Sequence, residues 1–118
     1  MRALVLLSLA AFLPSAALAD AADARRMYNE AAAQYETIVT WSTDAMDKAG
    51  SYVDEDDMVN ACTYMRGARE GYVEAEKAAT DMIGLDREAG GDGGDAQAKV
   101  EFARTMQENL DGVIKESC

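Results

Sequence analysis

Histidine is missing from this 118-residue chain. Without it there is no Ser-His-Asp triad, no Cys-His pair, no His-containing zinc site and no His-ligated haem. Basic residues are scarce: 11 stand against 22 acidic ones, for a formal net charge of −11. A nucleic-acid binder needs a basic face, so that class is excluded. Long apolar runs are lacking too. Ala3 to Leu13, broken by Ser8, is the longest, and a spanning helix needs roughly 20 residues. Proline occurs once and cysteine twice. An apolar content of 49% nevertheless argues for a packed core over a disordered acidic tail. The length allows one small domain.

The N-terminus has the order of a secretory leader. Met1-Arg2 supplies a charge, the apolar run follows, and Ala17-Leu18-Ala19 before Asp20 is an A-x-A cleavage site. Residues 1–19 are therefore expected to be a cleaved signal peptide, and 20–118 a single domain in the periplasm or medium. No Cys stands immediately after the cleavage point, so neither a lipid nor a stable membrane anchor is expected. Removing 1–19 takes away Arg2 and Pro14 and moves the net charge from −11 to −12. Cys62 and Cys118 both stay. Two cysteines in an oxidising compartment are expected to pair.

The remaining chain is free of proline and rich in Ala, Glu, Lys, Arg, Gln and Met, which favour helix. Helical apolar spacing recurs three times. Ala24, Tyr28, Ala31, Tyr35, Ile38, Ser42, Ala45 and Ala49 form the first stripe, with Gly50 as its expected stop. Met58, Ala61, Met65, Ala68, Tyr72, Ala75, Ala79 and Met82 form the second, expected to run from about Asp54 to Ile83, with Gly84 as its stop. A third stripe follows an expected cap at Asp95 and carries Val100, Ala103, Met106, Leu110 and Val113. The fold class is accordingly all-α, an antiparallel up-down-up three-helix bundle.

The cysteines test that topology. Cys62 lies 22 residues before Gly84, and Cys118 lies 23 residues after Asp95. At about 1.5 Å per residue both stand at the same height on neighbouring, oppositely directed helices. One Cys62–Cys118 disulfide is expected to close the bundle. Its loop carries about 4 kcal/mol of chain entropy.

Five features bear on function. The run Asp54-Glu55-Asp56-Asp57, with Asp44 and Asp47 at the same pole, would attract a basic partner or a divalent cation. Helix-terminal charge pairing is its plainer role. Gly67 and Gly71 cost roughly 1 kcal/mol each inside a helix, which points to close packing or to a groove. Trp41 and Tyr64 flank the stripes and are candidate interface anchors. The segment Gly90 to Asp95 is expected to be a flexible connector. The six methionines left after the leader fall on or beside the stripes, as core filling.

Enzymatic groups do not assemble. Glu-x-x-His and Cys-x-x-Cys-His are absent, and no carboxylate pair stands in a clearly apolar setting. The chain reads as an exported, monomeric, non-enzymatic interaction module that needs no cofactor and meets a basic partner protein through its acidic surface. An inhibitor, immunity or chaperone-like role fits. The alternative is a divalent-cation-binding protein using the acidic pole around Asp54–Asp57.

Overall fold

The three apolar stripes become three α-helices: α1 (Arg2–Asp54), α2 (Met58–Glu88) and α3 (Gly94–Ser117). The computed structural model describes the backbone of residues 2–118 and the side chains of 20–118. The leader expected at 1–19 lies outside the residues whose side chains are described. No described helix is long and apolar enough to cross a membrane.

Residue size sets the packing. Six of the ten buried residues of α2 are small: Ala61, Ala68, Gly71, Ala75, Ala78 and Ala79. Opposite lie Ala45, Ala49 and Ser42 on α1, and Ala96 and Ala103 on α3. Small side chains let backbones approach closely, so α2 packs along both neighbours. Among the described residues no Cα of α1 comes within 8 Å of a Cα of α3. Those two meet through side chains: the Tyr35 hydroxyl donates to the Lys99 carbonyl at 3.4 Å, and Lys99 Nζ stands 3.8 Å from Glu36. Tyr35, Met82 and Val100 fill one half of the core, and Tyr72, Met65 and Leu110 the other. Tyr72 is fully buried, with its hydroxyl 3.2 Å from Thr43 Oγ1 and 3.6 Å from Met46 Sδ. Cys62 and Cys118 form the expected disulfide, with Cα atoms 5.9 Å apart.

The helix ends differ from expectation. Both Gly50 and Gly84 lie inside helices. A glycine ends a helix only where the chain takes a left-handed turn, and here that happens further on. At the end of α1 the left-handed residue is Asp56, with φ of 59°. The Asp57 N–H donates to the Tyr52 carbonyl at 2.8 Å, and the Asp56 N–H to the Val53 carbonyl at 3.0 Å. That pair of bonds is a Schellman stop. The extra turn past Gly50 carries Tyr52, whose ring stacks on Tyr64 at 5.5 Å. Asp57 then caps α2, its carboxylate accepting from the Asn60 N–H. The second stop repeats the pattern at Gly90, with φ of 96°. There the Gly91 N–H donates to the Asp86 carbonyl and the Gly90 N–H to the Arg87 carbonyl.

The connector to α3 is a tight turn built on Asp86. Its carboxylate accepts from Arg25 Nη2 at 2.8 Å and from the Gly93 N–H at 2.9 Å. Gly91 leaves room for it, since a Cβ there would collide with the Asp86 carboxylate. The N-cap of α3 is Gly93 instead of Asp95, and the Asp92 carboxylate accepts from the Gly94 N–H at 2.8 Å. Further along α3 the seam differs by one residue. Gln107 turns inward beside Met106, with its amide nitrogen 2.9 Å from Glu76 Oε1 and 3.3 Å from the Tyr72 carbonyl. Val113 stays 43% exposed, and Ile114 takes the core-facing position.

Two outcomes follow from these turns. Asp56→Gly removes a left-handed cost of roughly 1–2 kcal/mol and returns part of it as chain entropy. It is expected to stabilise by about 1 kcal/mol, whereas Asp57→Ala, which deletes the cap, costs about 1 kcal/mol. Urea melts of both variants check this, and a loss of stability in Asp56→Gly contradicts the turn. The second outcome concerns pH. Arg25, then the Gly93 N–H, hold the Asp86 carboxyl below its usual range. A carboxyl depressed in the folded state stabilises fully above its unfolded pKa of about 3.9, and that contribution drains away as pH falls through the folded value. Asp86→Asn should therefore melt lower at neutral pH, with the gap to wild type closing below about pH 4. A gap that persists undiminished into strong acid contradicts the ion pair's role.

Candidate functional site

The site begins with the seam between α1 and α2. Ser42 is fully buried, and its hydroxyl donates to the Ile38 carbonyl at 2.8 Å. It packs straight against Gly71. A Cβ on Gly71 would overlap Ser42 Oγ and lie 3.1 Å from Ser42 Cβ and 3.3 Å from Trp41 Cε3. Glycine is thus required there by the approach of the two helices. With Ser42 turned inward, its neighbour Trp41 is carried onto the outer side of the seam, where it is 56% exposed.

Gly67 is different. A Cβ there would meet only Trp41 Cη2, at an ordinary 3.5 Å. Packing within the chain does not demand glycine at this position. Its absent side chain leaves open floor beside the indole. The result is a groove of about 520 Å3 lined by Thr37, Ile38, Trp41, Gly67, Glu70, Gly71 and Glu74. A second hollow of about 390 Å3 adjoins it across Trp41, lined by Glu36, Thr37, Thr40, Trp41 and Asp44.

The electrostatics of the pair are one-sided. Four carboxylates line it and no Lys or Arg does. Three of the four have cationic neighbours outside the groove. Arg69 stands 3.5 Å from Glu70, Lys77 stands 3.3 Å from Glu74, and Lys99 stands 3.8 Å from Glu36. Such pairs on exposed side chains hold weakly. Arg69 is engaged more closely by Asp111 on α3, which raises its pKa first by hydrogen bonding and then by charge. The groove therefore offers an indole face, an apolar floor and an anionic rim.

The structure brings together three of the four interface candidates: Trp41, Gly67 and Gly71. Tyr64 stands apart, half-buried, stacked on Tyr52 with Lys48 Nζ 5.6 Å from its ring centroid. The six acidic candidates are dispersed. Asp54 ends α1, Glu55 and Asp56 form the turn, and Asp57 caps α2. Asp47 lies exposed on α1, where its carbonyl accepts from Ser51. Asp44 belongs to the groove's rim. Among the described residues no three acidic or cysteine side chains come together as a group able to hold a metal ion.

Glu70 and Glu74 escape a reading by composition, because surface acids look like a solvated face. Their spacing is the available signal: at three and seven residues from Gly67, they share its side of α2.

The two glycines should separate cleanly on substitution. Gly71→Ala is expected to destabilise by about 2 kcal/mol or more, as overpacking at a fixed contact does. Gly67→Ala should be neutral or stabilising by up to about 1 kcal/mol, through helix propensity. Thermal melts of the pair check this, and equal losses would place Gly67 in the packed seam as well.

No protein family, no curated protein and no solved structure matches the chain.

Proposed function

We propose that this protein is an exported, non-enzymatic interaction module that holds a basic partner protein against its acidic surface. The observation that carries the reading is the groove beside Trp41. A large aromatic stands mostly exposed over an apolar floor, inside a ring of carboxylates. Buried Trp anchors dominate protein interfaces, and complementary charge at the rim sets encounter rate and partner choice. The net charge of −11 extends the same preference over the whole surface. Export is supported by the leader pattern of residues 1–19 and by a disulfide of the kind that persists in oxidising compartments. An inhibitor, immunity or chaperone-like role is compatible with such a module. In each the chain works as a monomer that occupies or shields a basic surface.

The test is capture from periplasmic extract on immobilised protein, with wild type and Trp41→Ala compared at about 50 mM and about 500 mM NaCl. The expected bound fraction is basic protein, retained at least about tenfold less by Trp41→Ala, as loss of an anchor implies. High salt should release it. Capture that ignores both salt and the substitution would sink the reading.

A further inference from the structure

We infer that the groove takes one basic, amphipathic α-helix, laid along the α1–α2 seam as a fourth helix, with an apolar side chain seated over Gly67. This rests on the interaction reading above and adds the shape and chemistry of the partner's contact.

The shape comes from the walls. Gly67, Glu70, Gly71 and Glu74 are one side of two turns of α2, about 10 Å of trough. Thr37, Ile38 and Trp41 are one turn of α1. Both walls are helices whose backbone groups are already bonded within themselves. An extended peptide would find no sheet edge here to satisfy its own N–H and C=O groups. A helix brings those bonds with it and presents ridges of side chains to a seam.

The seat comes from Gly67. Glycine in mid-helix is costly, and nothing inside the molecule requires it at this position. The space it leaves lies against the indole, open to solvent, and matches an apolar knob from outside.

The sign of the partner comes from the rim. Glu36, Asp44, Glu70 and Glu74 line the two hollows without a cation among them. Glu36, Glu70 and Glu74 keep 67%, 73% and 60% of their side-chain surface exposed, so they remain open to Lys or Arg. A second copy of this chain is a poor occupant, because two molecules of charge −11 repel.

Trp41 is the only tryptophan in the chain, so its emission reports the groove directly. Full-length protein with the Cys62–Cys118 bond formed is titrated with a synthetic Leu/Lys/Ala peptide of helical amphipathic spacing. A control peptide of the same length and charge carries two central prolines in place of alanines. The helical peptide is expected to shift Trp41 emission to the blue and to saturate. It should bind at least about tenfold more tightly than the proline peptide, since proline breaks the helix. Gly67→Leu, which puts a side chain into the seat from a Cβ position that meets only ordinary contact with Trp41, should weaken binding at least about tenfold with no fall in Tm. Glu70→Lys with Glu74→Lys should weaken it similarly at low salt, with the difference fading at high salt. Equal binding of the two peptides overturns the helical occupant and leaves the basic-partner reading standing. Binding that leaves Trp41 emission and the Gly67→Leu variant unaffected overturns the groove as the contact. Failure of both peptides to bind at low salt overturns the inference and the interaction reading together.

Discussion

The contact between Ser42 and Gly71 is the constraint on which the rest of the molecule depends. It brings α1 and α2 close enough for a seam of alanines to exclude water. It works only because one partner has no side chain and the other buries a hydroxyl that its own helix satisfies. The choice has a cost in core volume. An alanine buries far less apolar surface than the roughly 1.5–3 kcal/mol worth of a leucine or methionine. Few large side chains are wholly enclosed, Tyr72 and Met82 chief among them. A domain whose net stability falls near 5–15 kcal/mol and whose core is this thin gains much from a covalent tie. The disulfide joins the start of α2 to the end of α3, beside Ala61 and Ile114 at that end of the core.

Spacing makes the helices legible, and chemistry at their ends makes the boundaries illegible. The alternating three-and-four repeat marks positions that face inward whatever lies between, so spacing alone identifies Ala24, Tyr35, Ser42, Ala45 and Ala49 as buried. Gly50 and Gly84 look like stops because glycine favours the left-handed turn. That turn is taken where tertiary contacts release the chain. Tyr52 stacking on Tyr64 holds α1 past Gly50, and Arg25 reaching across to Asp86 holds α2 past Gly84. An aspartate, Asp56, then takes a conformation for which glycine is the usual choice. Gln107 is hidden for a related reason. A polar residue at a seam position is overlooked by apolar counting, and its value depends on Glu76 and a carbonyl on another helix.

The acidic run illustrates how local backbone demand absorbs charge that looks functional. Within Asp54–Asp57, two residues have a defined backbone task, as left-handed residue and as N-cap. Asp86 and Asp92 do equivalent work at the other turn. What the sequence shows of the site is its parts taken separately: two glycines inside a helix, and Trp41 flanking an apolar stripe. Tyr64 carries the same signal but is already occupied by Tyr52. The carboxylates that matter at the groove are Glu70 and Glu74, which resemble any other surface acids, because only the fold shows that they border an apolar floor and not open solvent.

Fold and surface are coupled through two consecutive residues. In a helix, neighbours point about 100° apart, so seating Ser42 in the seam obliges Trp41 to lie across its outer lip. Enlarging Gly71 would therefore push against the seam and the indole at once, since both side chains lie within 3.3 Å of where its Cβ would be. Gly67, one turn away, touches only the indole. The packing contact fixes where the aromatic stands, and Gly67 beside it leaves a space that the chain itself does not fill. A groove of this kind is held rigid by the core beneath it, so little ordering is needed when it is occupied. That rigidity comes from the same alanine seam that left the core thin.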